Sequence, residues 1–268
     1  MAEQADLASE EELPIKNIKR TTRFHSTLWR SRKSAALVEF SQIAAASAED
    51  GVLEDERINI DFNHEEEDCT QNAQYFASLS DFENISVKLI QGDITKIKAE
   101  AIIVPGNDRL YPLGGVAKAV FKAAGSELGE EIQKKTGGEA LKVGDCVFTS
   151  SGALKESISQ IVHLVTPKWK PIEHRTGTIE CLYNLCSALF DCFQKCVDNS
   201  ITTIALPAIG TGYGGIPEKL CCIVYLMAFI ELDDYCGCKD GLKLKIYFMD
   251  INTAILTCFY KECNLAFK

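Results

Sequence analysis

The sequence lacks any hydrophobic run long enough to cross a membrane. Its longest apolar runs fall well short of the ~20 residues that a bilayer span requires, and no charged segment near the start is followed by an apolar run and a small-residue cleavage site. These two absences argue against both a membrane protein and a secreted one. We therefore expect an intracellular protein, cytoplasmic or nuclear, with no membrane partner.

Paired Cys-x-x-Cys units and cysteine–histidine sets with zinc spacing are also lacking, although the chain has 12 cysteines. Disulfide frameworks are typical of short secreted chains, and this chain is neither short nor expected to be secreted. Cys181, Cys186, Cys192 and Cys196 instead follow one helical segment, where buried thiols behave as small apolar side chains. The sequence therefore predicts reduced core thiols, with no metal site and no resident cofactor.

Most of the chain carries no net charge. Residues 1–83 contain 18 acidic and 8 basic side chains and so carry the whole net charge of −10, whereas residues 84–268 are balanced. Because the second part has no basic face with interleaved aromatic residues, we do not expect it to bind nucleic acid.

The first 83 residues have no clean strand or helix alternation, which predicts an acidic and largely disordered segment. An alanine-rich stretch at 34–48 favours one short helix within it. The sequence leaves two roles open for this segment. It is either a solvated linker or a docking or localisation segment whose basic stretch is recognised by a protein partner, such as a transport receptor, or by nucleic acid.

From residue 84 onward, short β-rich runs alternate with longer amphipathic ones. This alternation predicts one α/β domain over 84–268 with a parallel or mixed central sheet and helices on both faces. Strand patterns occur at 85–90, 101–104, 145–149, 160–165, 202–206 and 244–249, and helix patterns at 116–136, 178–199, 218–234 and 253–265.

Two glycine-rich turns, at 112–116 and 207–217, each join a predicted strand to a predicted helix. Glycine lets the backbone approach a ligand closely. A helix N-terminus offers unpaired N–H groups and a favourable dipole to phosphate oxygens. Two such turns facing each other would hold a diphosphate from both sides, so the first functional hypothesis is a nucleotide-diphosphate ligand.

Polar residues follow two of the predicted strands. Asp93 comes just after the first strand, where its carboxylate is suited either to accepting a hydrogen bond from an exocyclic amine such as that of adenine or to capping a turn. Asn107 comes after the second strand, where its amide would contact ribose hydroxyls or simply stabilise the turn. The residues alone leave both alternatives open.

Five motifs in this order and spacing resemble the macrodomain family. They are Gly-Asp-Ile-Thr at 92–95, Ala-Ile-Ile-Val-Pro-Gly-Asn at 101–107, Gly-Gly-Val-Ala-Lys-Ala-Val-Phe-Lys-Ala-Ala-Gly at 114–125, Ile-Val-His-Leu-Val-Thr-Pro at 161–167, and Leu-Pro-Ala-Ile-Gly-Thr-Gly-Tyr-Gly-Gly-Ile-Pro at 206–217. The resemblance covers the chain from about residue 84 to 268. It implies a three-layer α/β/α sandwich with a mixed sheet that binds ADP-ribose, free or attached to a protein.

The resemblance also assigns ligand contacts position by position. Asp93 matches the acceptor of the adenine amine, Ile94 the neighbouring N–H, and Asn107 the contact to the distal ribose. Met249 matches the position of an aromatic ring that often flanks adenine. The remaining matches form the two phosphate loops, namely Gly114, Gly115 and Val116 in the first and Gly210, Thr211, Gly212, Tyr213 and Gly214 in the second.

The departures from the family pattern concern catalysis more than binding. Members that hydrolyse ADP-ribosyl bonds usually have Asn-Ala-Ala-Asn where this chain has Val104-Pro105-Gly106-Asn107, and one branch has an Asp where this chain has Ala117. The resemblance therefore predicts a reader of ADP-ribosylation whose partners are ADP-ribose or mono-ADP-ribosylated proteins. The alternatives are a mono-ADP-ribosyl hydrolase, with Asn107 as its remaining active-site residue, and a degenerate domain that serves protein interaction.

A dinucleotide enzyme of the Rossmann class is a further alternative, because Gly210-x-Gly212-x-x-Gly215 matches its glycine pattern and Glu231 or Asp233 follows at about the expected 20 residues. Pro217 stands against it, since it opens the helix where the third glycine should pack. His163 lies within an apolar strand pattern, which favours a hydrogen-bonded core histidine over a catalytic one.

Overall fold

The computed structural model describes residues 73–79, 82–169, 175–239 and 241–267, and the possible helix at 34–48 lies outside them. These residues form seven strands and five α-helices that alternate along most of the chain. The strands are β1 (Gln74–Leu79), β2 (Ile85–Gln91), β3 (Ala99–Gly106), β4 (Cys146–Ser150), β5 (Ile158–Val165), β6 (Thr203–Leu206) and β7 (Leu244–Asp250). The helices are α1 (Gly115–Ala124), α2 (Glu127–Thr136), α3 (Arg175–Asp198), α4 (Glu218–Gly237) and α5 (Thr253–Phe267).

The strands form one mixed sheet in the order β1-β2-β7-β6-β3-β5-β4. The five central strands are parallel to one another, and β1 and β4 pair antiparallel at the two edges. The carboxyl ends of β2, β7, β6 and β3 therefore meet at one end of the sheet. We call this end, with the loops that leave it, the carboxyl edge.

Two separate apolar cores cover the two faces of the sheet. On one face, strand residues such as Leu89 and Ile204 pack with α3, α4 and α5. On the other, strand residues such as Ile102 and Ala205 pack with α1 and α2. Apolar side chains thus alternate between the two faces along each buried strand. The three-layer α/β/α fold with a mixed sheet is confirmed.

Two elements differ from the sequence prediction. The strand β1 falls within the segment that the sequence assigns to the tail, and it is paired with β2, so the sheet begins before residue 84. The helix predicted over 116–136 is two helices, because Gly125 leaves the helical path with a φ of 101°. α2 then restarts at Glu127.

The cysteines in the described part of the chain all have free thiols. Most lie in the core formed by α3, α4 and α5, as predicted for small apolar side chains. Within the described ranges, no helix combines the length and the apolar character that a bilayer crossing would need.

Candidate functional site

The carboxyl edge brings together the elements that carry most of the predicted site residues. β2 and β7 are paired to their ends, where Ile90 lies opposite Met249 and the N–H of Gly92 donates to the carbonyl of Asp250 at 3.0 Å. β6 lies between β7 and β3. Adjacent strands are about 4.8 Å apart, so the distance from the end of β2 to the end of β3 is about 14 Å. Asp93, the loop after β3 and the loop after β6 therefore share one edge.

Asp93 caps a short 3₁₀ turn at Ile94–Lys96 that follows β2. Its Oδ1 accepts hydrogen bonds from the backbone N–H and the hydroxyl of Thr95, at 2.9 and 2.8 Å. Within the described ranges no group donates to Oδ2, and the side chain is exposed. One carboxylate oxygen thus performs the turn role and the other remains available to a ligand. The side chain of Ile94 is buried, so this residue offers only its backbone.

Asn107 begins the loop at 107–114, which we call loop 1. Its Oδ1 accepts from the backbone N–H groups of Arg109 and Tyr111, at 2.9 and 3.2 Å, and its Nδ2 donates to the carbonyl of Tyr111 at 3.1 Å. The amide therefore stabilises loop 1 itself, and one Nδ2 hydrogen remains for a ligand. The guanidinium of Arg109 donates to the carbonyl of Gly138, which ties loop 1 to the end of α2.

Loop 1 leads into an uncapped helix N-terminus. Gly114 precedes α1 in an extended conformation, with no side-chain cap, and Gly115 has a φ of 52°. Across the described residues, the backbone N–H groups of Gly115, Val116 and Ala117 have no acceptor. A Cβ added at Gly114 or Gly115 would meet no atom within 4 Å. This turn therefore presents unpaired N–H groups to open space, where a helix N-terminus favours an anion.

Residues 207–217, which we call loop 2, fold tightly on themselves. Gly210 has a φ of 104°, and its carbonyl accepts from the N–H of Ile216 at 2.9 Å. A Cβ at Gly214 would lie 2.6 Å from that carbonyl oxygen, so this close approach requires glycine. The hydroxyl of Tyr225 in α4 donates to the carbonyl of Pro207 at 3.0 Å and accepts from the N–H of Ile209 at 2.8 Å.

The tip of loop 2 also presents backbone N–H groups. Those of Gly212, Tyr213 and Gly214 have no acceptor in the part of the chain that the structure describes. Tyr213 is 67% exposed, and Lys168 Nζ lies 4.5 Å from the centre of its ring and donates to its hydroxyl at 3.3 Å. Loop 2 follows β6 and loop 1 follows β3, which is the neighbouring strand. Two sets of unpaired N–H groups therefore lie at adjacent strand ends.

Met249 is buried, with 1% of its surface exposed, in the core beneath α1 and α2. Its thioether is thus packed in the core in this structure. The exposed apolar side chain at this strand end is Ile251, with 77% of its surface accessible. Asp250 lies between these two residues, and burial raises the pKa of its carboxyl, although hydrogen bonds from the next two backbone N–H groups oppose the shift. The sequence analysis did not single out Ile251, although its position just after an apolar strand could have indicated a residue at the strand end.

His163, which the sequence weighs as a catalytic alternative, has a structural role. His163 is 2% exposed, its Nε2 lies 3.0 Å from the hydroxyl of Thr149, and burial lowers its pKa to about 4. The expectation of a hydrogen-bonded core histidine is confirmed. Val104 and Ala117, which stand where the hydrolase pattern has Asn and Asp, are both buried and apolar.

The acidic residues of the Rossmann alternative are also accounted for. Glu231 is buried in the middle of α4, where loss of hydration raises its pKa to about 8. The carboxylate of Asp233 accepts hydrogen bonds from the backbone N–H groups of Glu83, Asn84 and Ile85. Neither follows a strand end where a ribose would bind, so the dinucleotide-enzyme alternative is not supported. Within the described ranges, no group of three or more His, Cys, Asp or Glu side chains has the arrangement of a metal site.

Comparisons with known proteins agree with this architecture. The family model of the Macro domain matches residues 104–224. A macro domain-containing protein of Listeria monocytogenes is 33% identical over 189 residues, which cover 64% of this chain and 100% of that protein. O-acetyl-ADP-ribose deacetylase 2 of Pantoea vagans is 36% identical over 136 residues, covering 50% of this chain and 74% of the relative.

Among solved structures, the Oceanobacillus iheyensis macrodomain with ADP has the same fold, with a TM-score of 0.56 and 21% identity over 72% of this chain and 95% of its own. The family model, the relatives and the fold agree with the motifs read from the sequence. The chain therefore belongs to the macro domain family.

Proposed function

We propose that this protein binds ADP-ribose, free or attached to a protein, and acts as a reader of ADP-ribosylation. The proposal rests on two sets of backbone N–H groups that have no acceptor among the described residues and lie at the ends of adjacent strands. The first set belongs to Gly115, Val116 and Ala117, and the second to Gly212, Tyr213 and Gly214. Backbone N–H groups and a helix N-terminus stabilise a diphosphate without a metal ion. The solved structure of the Oceanobacillus iheyensis macrodomain with ADP supports a ligand that contains a nucleoside diphosphate.

Asp93 supports an adenine at the other end of the ligand. It follows β2, which lies two strands beyond β6 and so about 10 Å from loop 2. That separation leaves room for a ribose between the adenine and the diphosphate. The unpaired Oδ2 of Asp93 is then the acceptor for the exocyclic amine, while Oδ1 continues to cap the turn.

The reader role rests on the side chains near the expected distal ribose. A hydrolase needs a group that orients or deprotonates the attacking water, and Val104 and Ala117 are buried apolar residues. The amide of Asn107 makes three hydrogen bonds within loop 1. The side chains at the two positions where the hydrolase pattern has Asn and Asp therefore supply no general base, and Asn107 holds loop 1.

A hydrolase that releases an acyl or ADP-ribosyl group is the second candidate. The observation that favours it is the 36% identity to an O-acetyl-ADP-ribose deacetylase. In that case the remaining Nδ2 hydrogen of Asn107 would hold the distal ribose and the two loops would fix the diphosphate. A degenerate domain that serves protein interaction is the third candidate, and it predicts no ligand at the carboxyl edge.

The first experiment is calorimetric titration of the full chain with ADP-ribose, with AMP and NAD as comparators. The proposal expects micromolar binding that prefers ADP-ribose over AMP, because AMP lacks the diphosphate that both loops would hold. If the folded protein gives no heat with any of the three ligands, the interaction-module candidate replaces the reader.

A matched pair of glycine variants tests whether the ligand lies at loop 1. A methyl group at Gly114 meets no protein atom within 4 Å, and Gly114 directly precedes the unpaired N–H groups of α1, where the proposed pose places the diphosphate. Gly114→Ala is therefore expected to preserve the fold and to weaken ADP-ribose binding roughly tenfold. Gly129→Ala is the control, since Gly129 is exposed in α2 with the same open surroundings. Equal affinities for both variants would contradict the proposed pose.

Turnover separates the reader from the hydrolase. The full chain is incubated with a mono-ADP-ribosylated protein and, in parallel, with O-acetyl-ADP-ribose, and free ADP-ribose is quantified over time. The reader is expected to bind without release. Catalytic release that Asn107→Ala abolishes, while calorimetry shows that the variant still binds ADP-ribose, would favour the hydrolase.

A further inference from the structure

Two cysteines face each other where α4 packs beside α5. The thiol of Cys222 in α4 donates a hydrogen bond to the sulfur of Cys258 in α5, with the two Sγ atoms 3.7 Å apart. One turn away, Lys219 Nζ lies 4.0 Å from the carboxylate of Glu262, so a second contact holds the two helices in this register. The thiols therefore need only a small approach to reach the bond length of about 2.05 Å in a disulfide.

The two thiols differ in exposure. Cys222 is buried, whereas Cys258 is half-buried and reachable by a small oxidant. A hydrogen bond from Cys222 lowers the pKa of the Cys258 thiol, with help from Lys219, although burial and the carboxylates of Glu218 and Glu262 oppose the shift. The same contact raises the pKa of Cys222. Cys258 is thus the thiol suited to react first, because the thiolate is the nucleophile.

The start of α4 also anchors loop 2. Cys221, the residue next to Cys222, donates from Sγ to the carbonyl of Ile209 at 3.0 Å. One turn later, the hydroxyl of Tyr225 bonds both Pro207 and Ile209. Closing the gap between Cys222 and Cys258 by about 1.7 Å would therefore act on the same turns of α4 that hold loop 2.

We propose that Cys222 and Cys258 form a peroxide-sensitive thiol pair whose oxidation to a disulfide displaces the first turns of α4 and loosens loop 2. Cys258 sulfur attacks one oxygen of hydrogen peroxide, so an S–O bond forms, the O–O bond breaks, and the leaving hydroxide takes up a proton to become water. Cys222 sulfur then attacks the sulfenic sulfur, the S–S bond forms, and the S–O oxygen leaves with a proton as a second water. Two thiols lose two electrons and peroxide is reduced, and a dithiol reverses the change.

The test treats the full chain with hydrogen peroxide and maps its disulfides by peptide mass spectrometry, with and without dithiothreitol. The expected product has two hydrogen atoms fewer per molecule and one cross-linked peptide pair that joins Cys222 to Cys258. Cys258→Ala and Cys222→Ala are expected to abolish it. Cys236→Ala is the matched control, since Cys236 is buried in the same helix and should leave the cross-link intact.

Hydrogen exchange measures the consequence for loop 2 without any ligand. The disulfide form is expected to exchange the N–H of Ile216 at least severalfold faster than the reduced form, because the hydrogen bond from Ile216 to Gly210 closes loop 2. A cross-link between other cysteines, or sulfinic acid without a cross-link, would overturn the assigned pair. A disulfide that leaves exchange in loop 2 unchanged would overturn the coupling. Neither readout depends on ADP-ribose binding.

Discussion

Asp93→Asn is the substitution that most directly tests the adenine contact. Asparagine keeps an oxygen at the position of Oδ1, which accepts from the backbone N–H and hydroxyl of Thr95 at 2.9 and 2.8 Å. Its amide nitrogen then replaces Oδ2, because the reversed orientation would point a donor at the donating N–H of Thr95. The variant therefore preserves the turn and presents a donor to the exocyclic amine, which is itself a donor.

The size of the effect follows from that mismatch. Losing a hydrogen bond to a charged acceptor and leaving its partner unsatisfied costs about 1.5–3 kcal/mol, or about 10- to 160-fold in affinity. Asp93 is exposed in the free protein, so water competes for its oxygens and we expect a loss close to tenfold. Removing a negative charge would by itself favour an anionic ligand, so a weaker variant cannot be explained by net charge.

The assay is calorimetric titration of the full chain with ADP-ribose, together with thermal unfolding of each variant. Glu156→Gln is the control, because it removes one exposed carboxylate just before β5, at the opposite end of the sheet. Asp93→Asn should bind roughly tenfold more weakly with an unchanged Tm. Affinity equal to that of the parent protein would refute the adenine contact, and an equal loss in Glu156→Gln would show that the effect is not local.

Two further predictions concern His163 and loop 2. The buried His163 has a pKa near 4, below its unfolded value of about 6.5, so its contribution to stability is complete above about pH 6.5 and is lost as the pH falls towards 4. Because of this group alone, urea unfolding should give a free energy of unfolding about 2 kcal/mol lower at pH 5 than at pH 8. His163→Gln should remove that difference. If the variant keeps the parent's pH dependence, the lowered pKa of His163 is contradicted. Gly214→Ala should lower the Tm and weaken ADP-ribose binding, because its Cβ would meet the carbonyl of Gly210 at 2.6 Å. In the control Gly212→Ala, the added Cβ meets no atom within 4 Å, so this variant should keep the parent Tm. Equal Tm values for the two variants would show that loop 2 relaxes freely.

The strands β2, β3, β5, β6 and β7 were predictable because each is rich in buried apolar residues and lies between turn residues. β1 was not, for a physical reason that lies in its pairing. Its register with β2 shifts between Tyr75 and Ala77, so Phe76 and Ala77 are both buried although they are adjacent. A bulge of this kind removes the alternation of apolar and polar residues by which a strand is recognised. The acidic residues that precede β1 further favoured a tail.

The break between α1 and α2 was missed because glycine inside a helical pattern is usually tolerated. The pattern 116–136 remains amphipathic through the break, since Val120 and Ala124 in α1 and Leu128 in α2 share one core. Only the backbone of Gly125, with a φ of 101°, ends the first helix there. The sequence thus predicts which face is buried but not whether the axis continues.

The site divides in the same way. Glycines in loop 2 were identifiable because positive φ and close backbone approach require them, as at Gly210 and Gly214. The environment of Met249 could not be identified from the sequence, because its burial depends on how β7 packs beneath α1 and α2. The hydrogen bonds of Asn107 likewise depend on the path of the chain to Tyr111. Backbone requirements are local in sequence, whereas side-chain environments are set by the fold.

This division bears on the choice between reader and hydrolase. Binding a diphosphate through backbone N–H groups tolerates side-chain replacement, so the exchanges at Val104 and Ala117 leave the N–H groups of both loops in position. Catalysis requires particular side chains held beside the reacting atoms. Of the polar side chains in the hydrolase pattern, this chain retains Asn107, which forms three hydrogen bonds within loop 1. For the hydrolase to operate, the free Nδ2 hydrogen of Asn107 would hold the ribose, and a group other than the side chains of Val104 and Ala117 would have to position the attacking water. A reader needs no such group, and it is therefore the function that these side chains favour.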